Sequence, residues 1–389
     1  MNSLSHHEKI NKGFSDWQLP FYFSKPVLRH FTHFIDGMSS IGFTGKLTQI
    51  HAYSHHPKHR TTLSHFLQKS PWNESYLQQQ CQRYVRRQID PKQPLFWLFD
   101  DTLAKKKKPS SQAQHPIQGC GFHFSHTEGK VVWGHQVLQV MMKSGEQAFP
   151  YDFRHFQKEK DESKIQLSVD FIQDLPQATQ PTYVLCDSWY TSKALIEAAF
   201  GQGMHVIGAL KTNRIIYPAG IRTQVKQFAT HISAQETDIV TVGQETYRVY
   251  RYEGALNDLD CGVVVLCWPA NEPMETKHLR CFLSTDTELS TQQILDYYSK
   301  HWAIETYFKQ VKGYLGFQGV QVRHERAIYR YWLLIQFAYL LIGALQLQPF
   351  SVAIHQMRRA QFSGIIEFVY NEAQEGTSLD QIKKELFVA

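Results

Sequence analysis

The middle of the chain alternates between short apolar runs and segments with helical periodicity. Residues 95–99 and 183–186 are apolar throughout, which predicts buried β-strands. Residues 149–164 are charged and predict a loop. Residues 191–203 repeat their apolar positions at helical spacing, and residues 205–210 predict a further strand. This strand–helix–strand order predicts an α/β core with a mixed sheet.

Both of the first two strands stop abruptly at an acidic residue. Asp100 follows the run 95–99, and Asp187 follows the run 183–186. A third acid, Glu305, lies in the stretch 297–317, which has no proline and no glycine before Gly313. That stretch predicts one long amphipathic helix.

The predicted helix has a mixed aromatic and charged face. Its members recur at steps of three and four: Tyr298, Trp302, Glu305, Phe308 and Lys312. Glu305 is therefore expected on the buried, aromatic side, where a carboxylate requires a cation or hydrogen-bond donors. The ordinary alternative is a surface ion pair between Glu305 and Lys309, four residues apart.

Two acids at strand ends and one on a late helix are a ligand set for a hard cation. Mg²⁺ and Mn²⁺ prefer carboxylate and water oxygens. A pair of such ions stabilises the attacking and leaving oxygens in an in-line phosphoryl transfer. Asp100, Asp187 and Glu305 are therefore candidate ligands of two divalent ions.

The stretch around Glu305 resembles a known signature. Tyr298-x2-His301-x3-Glu305-x6-Lys312 is similar to the Y-x2-R-x3-E-x6-K motif of the IS4-like DDE transposases, which include IS701-type relatives. Asp100-Asp101-Thr102 and Asp187-Ser188-Trp189-Tyr190 resemble the other two acidic motifs of that superfamily. The likeness covers roughly residues 95 to 345, with a weaker match at the N-terminus.

This resemblance implies an RNase H-like catalytic core in which Asp100, Asp187 and Glu305 hold Mg²⁺ or Mn²⁺. Asp101 is the alternative first ligand. Tyr298 and Lys312 would orient phosphate near the metals. His301 departs from the family because it stands where the relatives have Arg, and a histidine binds phosphate firmly only when it is protonated.

The function that the resemblance implies is cleavage and strand transfer at the ends of an insertion sequence. The partners would be double-stranded DNA, both terminal inverted repeats and target, and a second protomer in the synaptic complex. Two alternatives stay open at this point. One is an RNase H-like nuclease without strand transfer, and the other is an inactive DNA-binding regulator derived from a transposase.

The charge of the chain is concentrated at its start. Residues 1–90 contain 11 Lys or Arg and 5 Asp or Glu, out of totals of 41 and 35, so the remainder of the chain has 30 of each. A basic front end on a balanced protein is typical of a DNA-binding module. Helices are expected at 27–38, 46–53 and 73–90, and a short helix capped by Thr61 or Thr62.

That short helix is entered through Lys58, His59 and Arg60, and it is expected to contact DNA phosphates or enter a major groove. The nearby histidines do not predict zinc, because no cysteine or carboxylate stands at ligand spacing. Further phosphate contacts are expected from the lysine run directly after the first acidic strand and from the end of strand 205–210. These residues are Lys105, Lys106, Lys107, Lys108, Lys211 and Arg214.

Residues 215–283 alternate in β fashion and predict an inserted β-subdomain. In relatives such an insertion carries DNA contacts, and Trp268 is a candidate to stack on a displaced base. Core packing is the alternative role for this tryptophan. The predicted order is a basic helical region (1–92), a core in two parts (93–214 and 284–348) around the insertion (215–283), and a helical tail (349–389).

The sequence also bears on the compartment. The N-terminal segment lacks the apolar core of a signal peptide. The longest apolar run, 331–345, is too short to span a bilayer and predicts a buried core helix. Six scattered cysteines without a CxxC pair are typical of a reducing compartment. We therefore expect a cytoplasmic protein without a membrane partner.

Overall fold

The structure is a computed structural model that describes residues 6–53, 59–114, 116–125, 128–160 and 163–386. Its α-helices are α1 (His7–Asp16), α2 (Lys25–Ser39), α3 (Leu47–Tyr53), α4 (Arg60–Gln68), α5 (Glu74–Arg86), α6 (Lys164–Asp174), α7 (Lys193–Gly201), α8 (Val225–Ala229), α9 (Thr291–Ser299), α10 (Trp302–Tyr314), α11 (Glu325–Gln346), α12 (Phe350–Gln374) and α13 (Leu379–Leu386).

The strands are β1 (Leu95–Lys105), β2 (Gly121–Ser125), β3 (Lys130–Ser144), β4 (Gln147–Phe156), β5 (Thr182–Cys186), β6 (His205–Leu210), β7 (Ile215–Ile216), β8 (Thr223–Gln224), β9 (Asp238–Val242), β10 (Glu245–Leu256), β11 (Leu259–Pro269) and β12 (Arg280–Ser284).

The chain folds into two compact units that combine distant segments. The first unit consists of Met1–Arg87, Leu103–Gln136 and Tyr307–Ala389, and the second of Gln88–Thr102 and Val137–Thr306. The sequence predicts five functional segments, whereas these two units are defined by contacts within the fold. The five segments therefore stay a prediction.

The first unit is mainly helical and is built around α11. This helix is apolar on nearly all sides and packs against α1, α2, α4, α5 and α12. It is the one described helix that is long and apolar enough to cross a membrane, but 72% of its most apolar window is buried. The expected core helix is confirmed.

One buried cation ties the N-terminal helices of the first unit to α11. The Arg330 side chain is inaccessible to solvent, and its Nε donates to Glu74 Oε1 at 2.7 Å. Its other nitrogens donate to four carbonyls that follow or end α4: Phe66, Leu67, Ser70 and Trp72. The guanidinium also lies 4.2 Å from the centre of the Trp72 ring. A guanidinium has three donor nitrogens, and these contacts give each of them at least one acceptor within the protein.

The second unit contains a mixed sheet. Strands β1, β5 and β6 run parallel, and β12, β11 and β10 continue the sheet from β6 in antiparallel order. Strand β3 lies beside β1 on the other side, and β4 pairs with β3. The α/β class is therefore confirmed, and the mixed sheet is consistent with an RNase H-like core.

The β-rich region after residue 214 forms strands, as expected. Strands β10, β11 and β12 extend the sheet of β6, and β9 pairs with β10. A separate role for this region as an inserted subdomain stays a prediction.

Three local expectations are wrong. Residues 149–164 were expected to be loop-like, but β4 occupies Gln147–Phe156, because its polar residues alternate with buried Tyr151 and Phe153. The short helix is not capped by Thr61 or Thr62. Its N-cap is His59, whose Nδ1 accepts the Thr61 N–H at 3.3 Å.

The third wrong expectation is the single helix over 297–317. Helix α9 begins after Ser290, whose Oγ accepts the Gln293 N–H at 3.2 Å, and ends at Ser299. The chain turns at Lys300 and His301 before α10 begins. The turn places His301 in the interior, where its ring Nε2 lies 3.1 Å from the Phe99 carbonyl oxygen at the end of the apolar run in β1.

The burial of Arg330 leads to a stability prediction. Arg330→Ala removes one of the two partners of Glu74 and the donor to four carbonyls at once, so we expect it to lower the free energy of unfolding by about 3 to 5 kcal/mol. Arg326→Ala is the control, because Arg326 also pairs with Glu74 but is 47% exposed. It is expected to cost about 1 kcal/mol or less. Urea denaturation of both variants measures the difference, and equal losses would contradict it.

Candidate active site

Two of the predicted acids lie side by side at the carboxyl end of the parallel strands. The register of β1 and β5 places Phe99 opposite Cys186, and Asp100 and Asp187 are the next residues on the two strands. Adjacent strands are about 4.8 Å apart, so this register brings the two carboxylates to the same sheet edge. The apolar residues before them are fully buried and fix the register.

Asp100 lies in an environment that disfavours its charge. Burial raises its pKa to about 8, and the neighbouring charges of Asp101, Asp187 and Glu305 act in the same direction. The Asp101 N–H donates to Asp100 Oδ1 at 2.7 Å and opposes the shift only in part. The three predicted acids are therefore electrostatic neighbours, and Asp100 is the carboxyl on which their repulsion acts.

Asp101, the alternative first ligand, has a different environment. Its Oδ1 accepts a hydrogen bond from Lys164 Nζ at 2.7 Å and another from the hydroxyl of Tyr190. Tyr190 is fully buried, and its pKa is raised well above the ordinary value by burial and by Asp101. A lysine thus compensates the charge of Asp101, whereas burial and, after it, the neighbouring acids raise the pKa of Asp100.

Asp187 is fixed by the turn that follows β5. Its Oδ1 accepts the N–H groups of Trp189 at 2.8 Å and Tyr190 at 3.2 Å. Its carbonyl accepts the Thr191 hydroxyl at 3.0 Å. Short polar side chains commonly fold back on their own backbone in this way, and the result is a defined orientation for the carboxylate.

Glu305 lies in the first turn of α10, and its side chain is exposed. The expectation that Glu305 lies on a buried, aromatic face is therefore wrong. Trp302, on the same predicted face, is 67% exposed. Partial desolvation nevertheless raises the pKa of Glu305.

Tyr298 and His301 lie close to the acids. Their rings are stacked with centroids 5.8 Å apart, and Tyr298 also packs on Phe282 at 4.6 Å. Burial and the nearby acids raise the pKa of Tyr298. Burial lowers the pKa of His301, which is only 5% exposed and whose Nε2 already contacts the Phe99 carbonyl oxygen. Its contact with DNA stays a prediction that this placement does not favour.

A second surface feature lies beside Asp187. Trp189 is 49% exposed, and two lysine ammonium groups lie over its ring, Lys164 at 4.9 Å and Lys211 at 5.1 Å. Sequence reasoning missed the roles of Trp189, Tyr190 and Lys164. The first two stand in the quoted motif around Asp187, but Lys164 is distant along the chain and carries no motif.

The other predicted contacts of the second unit have different positions. Lys211 is exposed, as a DNA contact requires. Arg214 donates to Asp258 at 2.7 Å and to the Thr191 carbonyl, so its guanidinium supports the fold. Trp268 is completely buried, and its selection as a base-stacking residue is wrong. It lies in β11 among apolar strands, which is the core-packing alternative.

In the first unit the four lysines of the run after β1 differ in their surroundings. Lys105 pairs with Glu128 at 2.7 Å, and Lys106 donates to the carbonyls of Gln318 and Val320, both at 2.6 Å. Burial lowers the pKa of Lys106 to about 8. Lys107 is exposed, and Lys108 lies 5.1 Å from the Phe122 ring centre.

Two further basic candidates of this unit, Lys312 and Arg60, each line a cavity. Lys312 lines one cavity together with Lys105, Lys106 and Lys107. Arg60, exposed at the start of α4, lines another. Lys58 lies outside the described residues.

The donor chemistry of this site fits a divalent cation. Asp100, Asp187 and Glu305 offer carboxylate oxygens, and their mutual repulsion at Asp100 is the kind that a bound cation relieves. Within the described ranges, no three His, Cys, Asp or Glu side chains are close enough together to hold a metal ion. Joint ligation by all three acids therefore requires them to come closer than they lie here.

Comparison with known proteins places the three acids within one family domain. The family model described as "Transposase DDE domain" matches residues 91–341, which is well over half of the chain and includes all three acids. No curated protein matches the chain.

The raised pKa of Asp100 predicts a pH effect in the absence of divalent ions. The folded value of about 8 exceeds the ordinary 3.8, so the folded state keeps a proton that the unfolded state releases. Stability from this group is therefore complete below about pH 4 and is lost as the pH rises toward 8. Asp100→Asn should remove this loss and raise the free energy of unfolding at pH 8 by on the order of a few kcal/mol.

Urea denaturation in EDTA between pH 4 and pH 8 measures this effect. Asp380→Asn, on the exposed face of α13, is the matched control and should behave like the unaltered chain. Mg²⁺ should stabilise the unaltered chain at pH 8 more than the Asp100→Asn variant. An unchanged pH slope in Asp100→Asn would show that this carboxyl does not keep its proton.

Proposed function

The chain belongs to the transposase DDE family, and we propose that it cleaves phosphodiester bonds at the ends of an insertion sequence and joins them to target DNA. The observation that carries this proposal is the register that puts Asp100 beside Asp187, with the charge of Glu305 near enough to raise the pKa of Asp100. Transposase function and DNA binding follow from the family. IS4-type ends, strand transfer and the roles below are proposals.

Asp100, Asp187 and Glu305 would hold two Mg²⁺ or Mn²⁺ ions. When bound, such ions act as Lewis acids on the scissile phosphate and stabilise the attacking and leaving oxygens. The protein's own contribution is to place two carboxylates, Asp100 and Asp187, at one sheet edge and the third, Glu305, on α10 near them. The ion pair with Lys164 supports Asp100, not Asp101, as the first ligand, because it leaves Asp100 as the acid with uncompensated charge.

The partners proposed are double-stranded DNA, as terminal inverted repeats and as target, and a second copy of the chain in the synaptic complex. A cytoplasmic site of action is part of the proposal. Lys211 and Trp189 form an exposed cationic and aromatic surface next to Asp187, which supports contact with the DNA near the cleaved bond.

The acid assignments predict separate effects on cleavage and binding. Asp100→Asn, Asp187→Ala and Glu305→Ala should each abolish Mg²⁺-dependent cleavage and leave DNA affinity in EDTA largely intact, because they remove cation ligands only. Asp101→Asn should keep measurable cleavage, reduced about 10- to 100-fold, because it alters a residue that supports the site. Labelled DNA carrying the element ends, together with a target duplex, measures cleavage and joining.

The matched control is Asp380→Ala on α13, which should cleave like the unaltered chain. Retained nicking by Asp187→Ala or Glu305→Ala would refute the assignment. Cleavage without joined product would identify a nuclease, and DNA binding without cleavage by the unaltered chain would identify a regulator.

Trp189 leads to a prediction about unpaired bases. Trp189→Ala should weaken binding to a duplex with one extruded base by about 1 to 3 kcal/mol, because it removes a stacking platform, and Trp189→Phe should keep most of the affinity. Fluorescence anisotropy in EDTA, with a fully paired duplex alongside, measures the difference. Trp268→Phe should lower only thermal stability, and equal weakening of both duplexes by Trp189→Ala would exclude stacking.

A further inference from the structure

The first unit contains a large basic groove outside the acidic site. Its cavity volume is about 1340 Å³, and one wall is α4. Its cations come from four separate parts of the chain: Lys46 before α3, Arg60 and Lys69 at the two ends of α4, Lys105 to Lys107, and Arg323 before α11. None of the described residues that line it is an aspartate or glutamate. Such a concentration of one sign of charge attracts a polyanion.

Helix α4 presents a polar stripe to this groove. Thr61, Ser64, His65 and Gln68 recur at steps of three and four and all line it. The opposite face of the helix, Leu63, Phe66 and Leu67, is buried. The stripe is therefore directed toward the groove because the apolar face is held in the core.

The helix is also rigidly anchored. Arg330 donates to the carbonyls of Phe66 and Leu67 at the end of α4, and Phe66 stacks on Trp72 with ring centres 5.5 Å apart. At its start, His59 caps the helix through Thr61. Side chains on a helix fixed at both ends have defined positions, which sequence-specific contacts require.

The chemistry of the lining favours one kind of polyanion. Within the described lining there is no Phe, Tyr or Trp, so the groove offers no stacking platform for single strands. The deep, narrow major groove of an RNA duplex excludes side chains, whereas that of B-DNA admits a helix. Glutamine, serine and histidine side chains carry the donors and acceptors that contact base edges.

We propose that this groove binds duplex DNA, with its exposed cations Lys69 and Lys107 on phosphates and with Ser64, His65 and Gln68 of α4 contacting base edges. The proposal rests on the proposed function, to which it adds the residues that select the DNA sequence. Lys69 on the α4 side and Lys107 after β1 are exposed and carry the phosphate contacts that can be tested most directly.

The first arm tests the phosphate contacts, with the full chain in EDTA and a random-sequence 30-base-pair DNA duplex as the probe. Lys69→Ala/Lys107→Ala should weaken binding about 10-fold or more at physiological salt and lower the slope of log affinity against log salt by about 2. Lys383→Ala/Lys384→Ala, which removes two exposed charges from α13, is the matched control and should change neither quantity.

The second arm tests base reading by selection from a randomised DNA duplex library. The unaltered chain should enrich a motif, and Gln68→Ala should lose preference at one position by about 5- to 150-fold while keeping its affinity for random DNA. Ser64→Ala and His65→Ala should act at other positions. Each variant's thermal melting, expected to be unchanged because the altered side chains line the groove, shows that it is folded.

Several outcomes overturn the inference. Unchanged affinity and salt slope in the lysine variant would exclude the groove as a phosphate site, and an unchanged motif in all three α4 variants would exclude base reading. An RNA duplex of equal length that binds as tightly as DNA would also contradict it. If the unaltered chain bound no DNA at all, the proposed function would fail as well. DNA binding that persists in the groove variants would overturn this inference alone.

Discussion

The repulsion among the carboxylates at the carboxyl end of β1 and β5 is the constraint on which the candidate site depends. Asp101, Asp187 and Glu305 all lie near enough to Asp100 for their charges to raise its pKa, in addition to the larger effect of burial. Folding brings them together because the strands before them are apolar, and burying those strands in register outweighs the charge repulsion. The repulsion remains in the folded chain, and a bound cation or a retained proton relieves it.

The fold reduces this repulsion at one acid and not at its neighbour. Lys164 and Tyr190 both bond to Asp101, although Asp100 is the adjacent residue. In a strand, successive side chains point to opposite faces, so two consecutive acids meet different surroundings. Of the two consecutive acids, Asp101 therefore has a lysine partner, Lys164, whereas Asp100 on the other face has none of the same kind among its pKa-shifting neighbours.

The sequence predicted the parts of this site that depend on local pattern. Apolar runs that end at Asp100 and Asp187 are visible in any strand-length window, and the register follows once the strands are parallel. The break before α10 was not visible, because the three- and four-residue spacing continues from Tyr298 to Lys312 across it. The turn brings His301 into contact with the Phe99 carbonyl, 202 residues away, a partner that no local pattern contains.

Long-range partners also explain the wrong and missing residues. Trp268 and Trp189 are both tryptophans near strand ends, and only the sheet decides that the first is buried and the second exposed. Lys164 meets Asp101 across 63 residues, a pairing that no spacing rule contains. A prediction from sequence pattern considers only each residue's neighbours along the chain, whereas the function of a charged or aromatic side chain depends on its neighbours in space.

The same principle decides which cations are available to DNA. A count of lysines and arginines does not distinguish Lys106, Arg214 and Arg330 from other cations, but all three are bonded to other groups of the folded chain. Lys106 satisfies two carbonyls, Arg214 pairs with Asp258, and Arg330 joins α4 and α5 to α11. A cation already bonded in the interior would have to break those bonds to reach a phosphate, at a cost above the gain of one contact. The cations that the fold leaves available for phosphate contacts are therefore exposed ones, such as Lys69 and Lys107 on the first unit and Lys211 on the second.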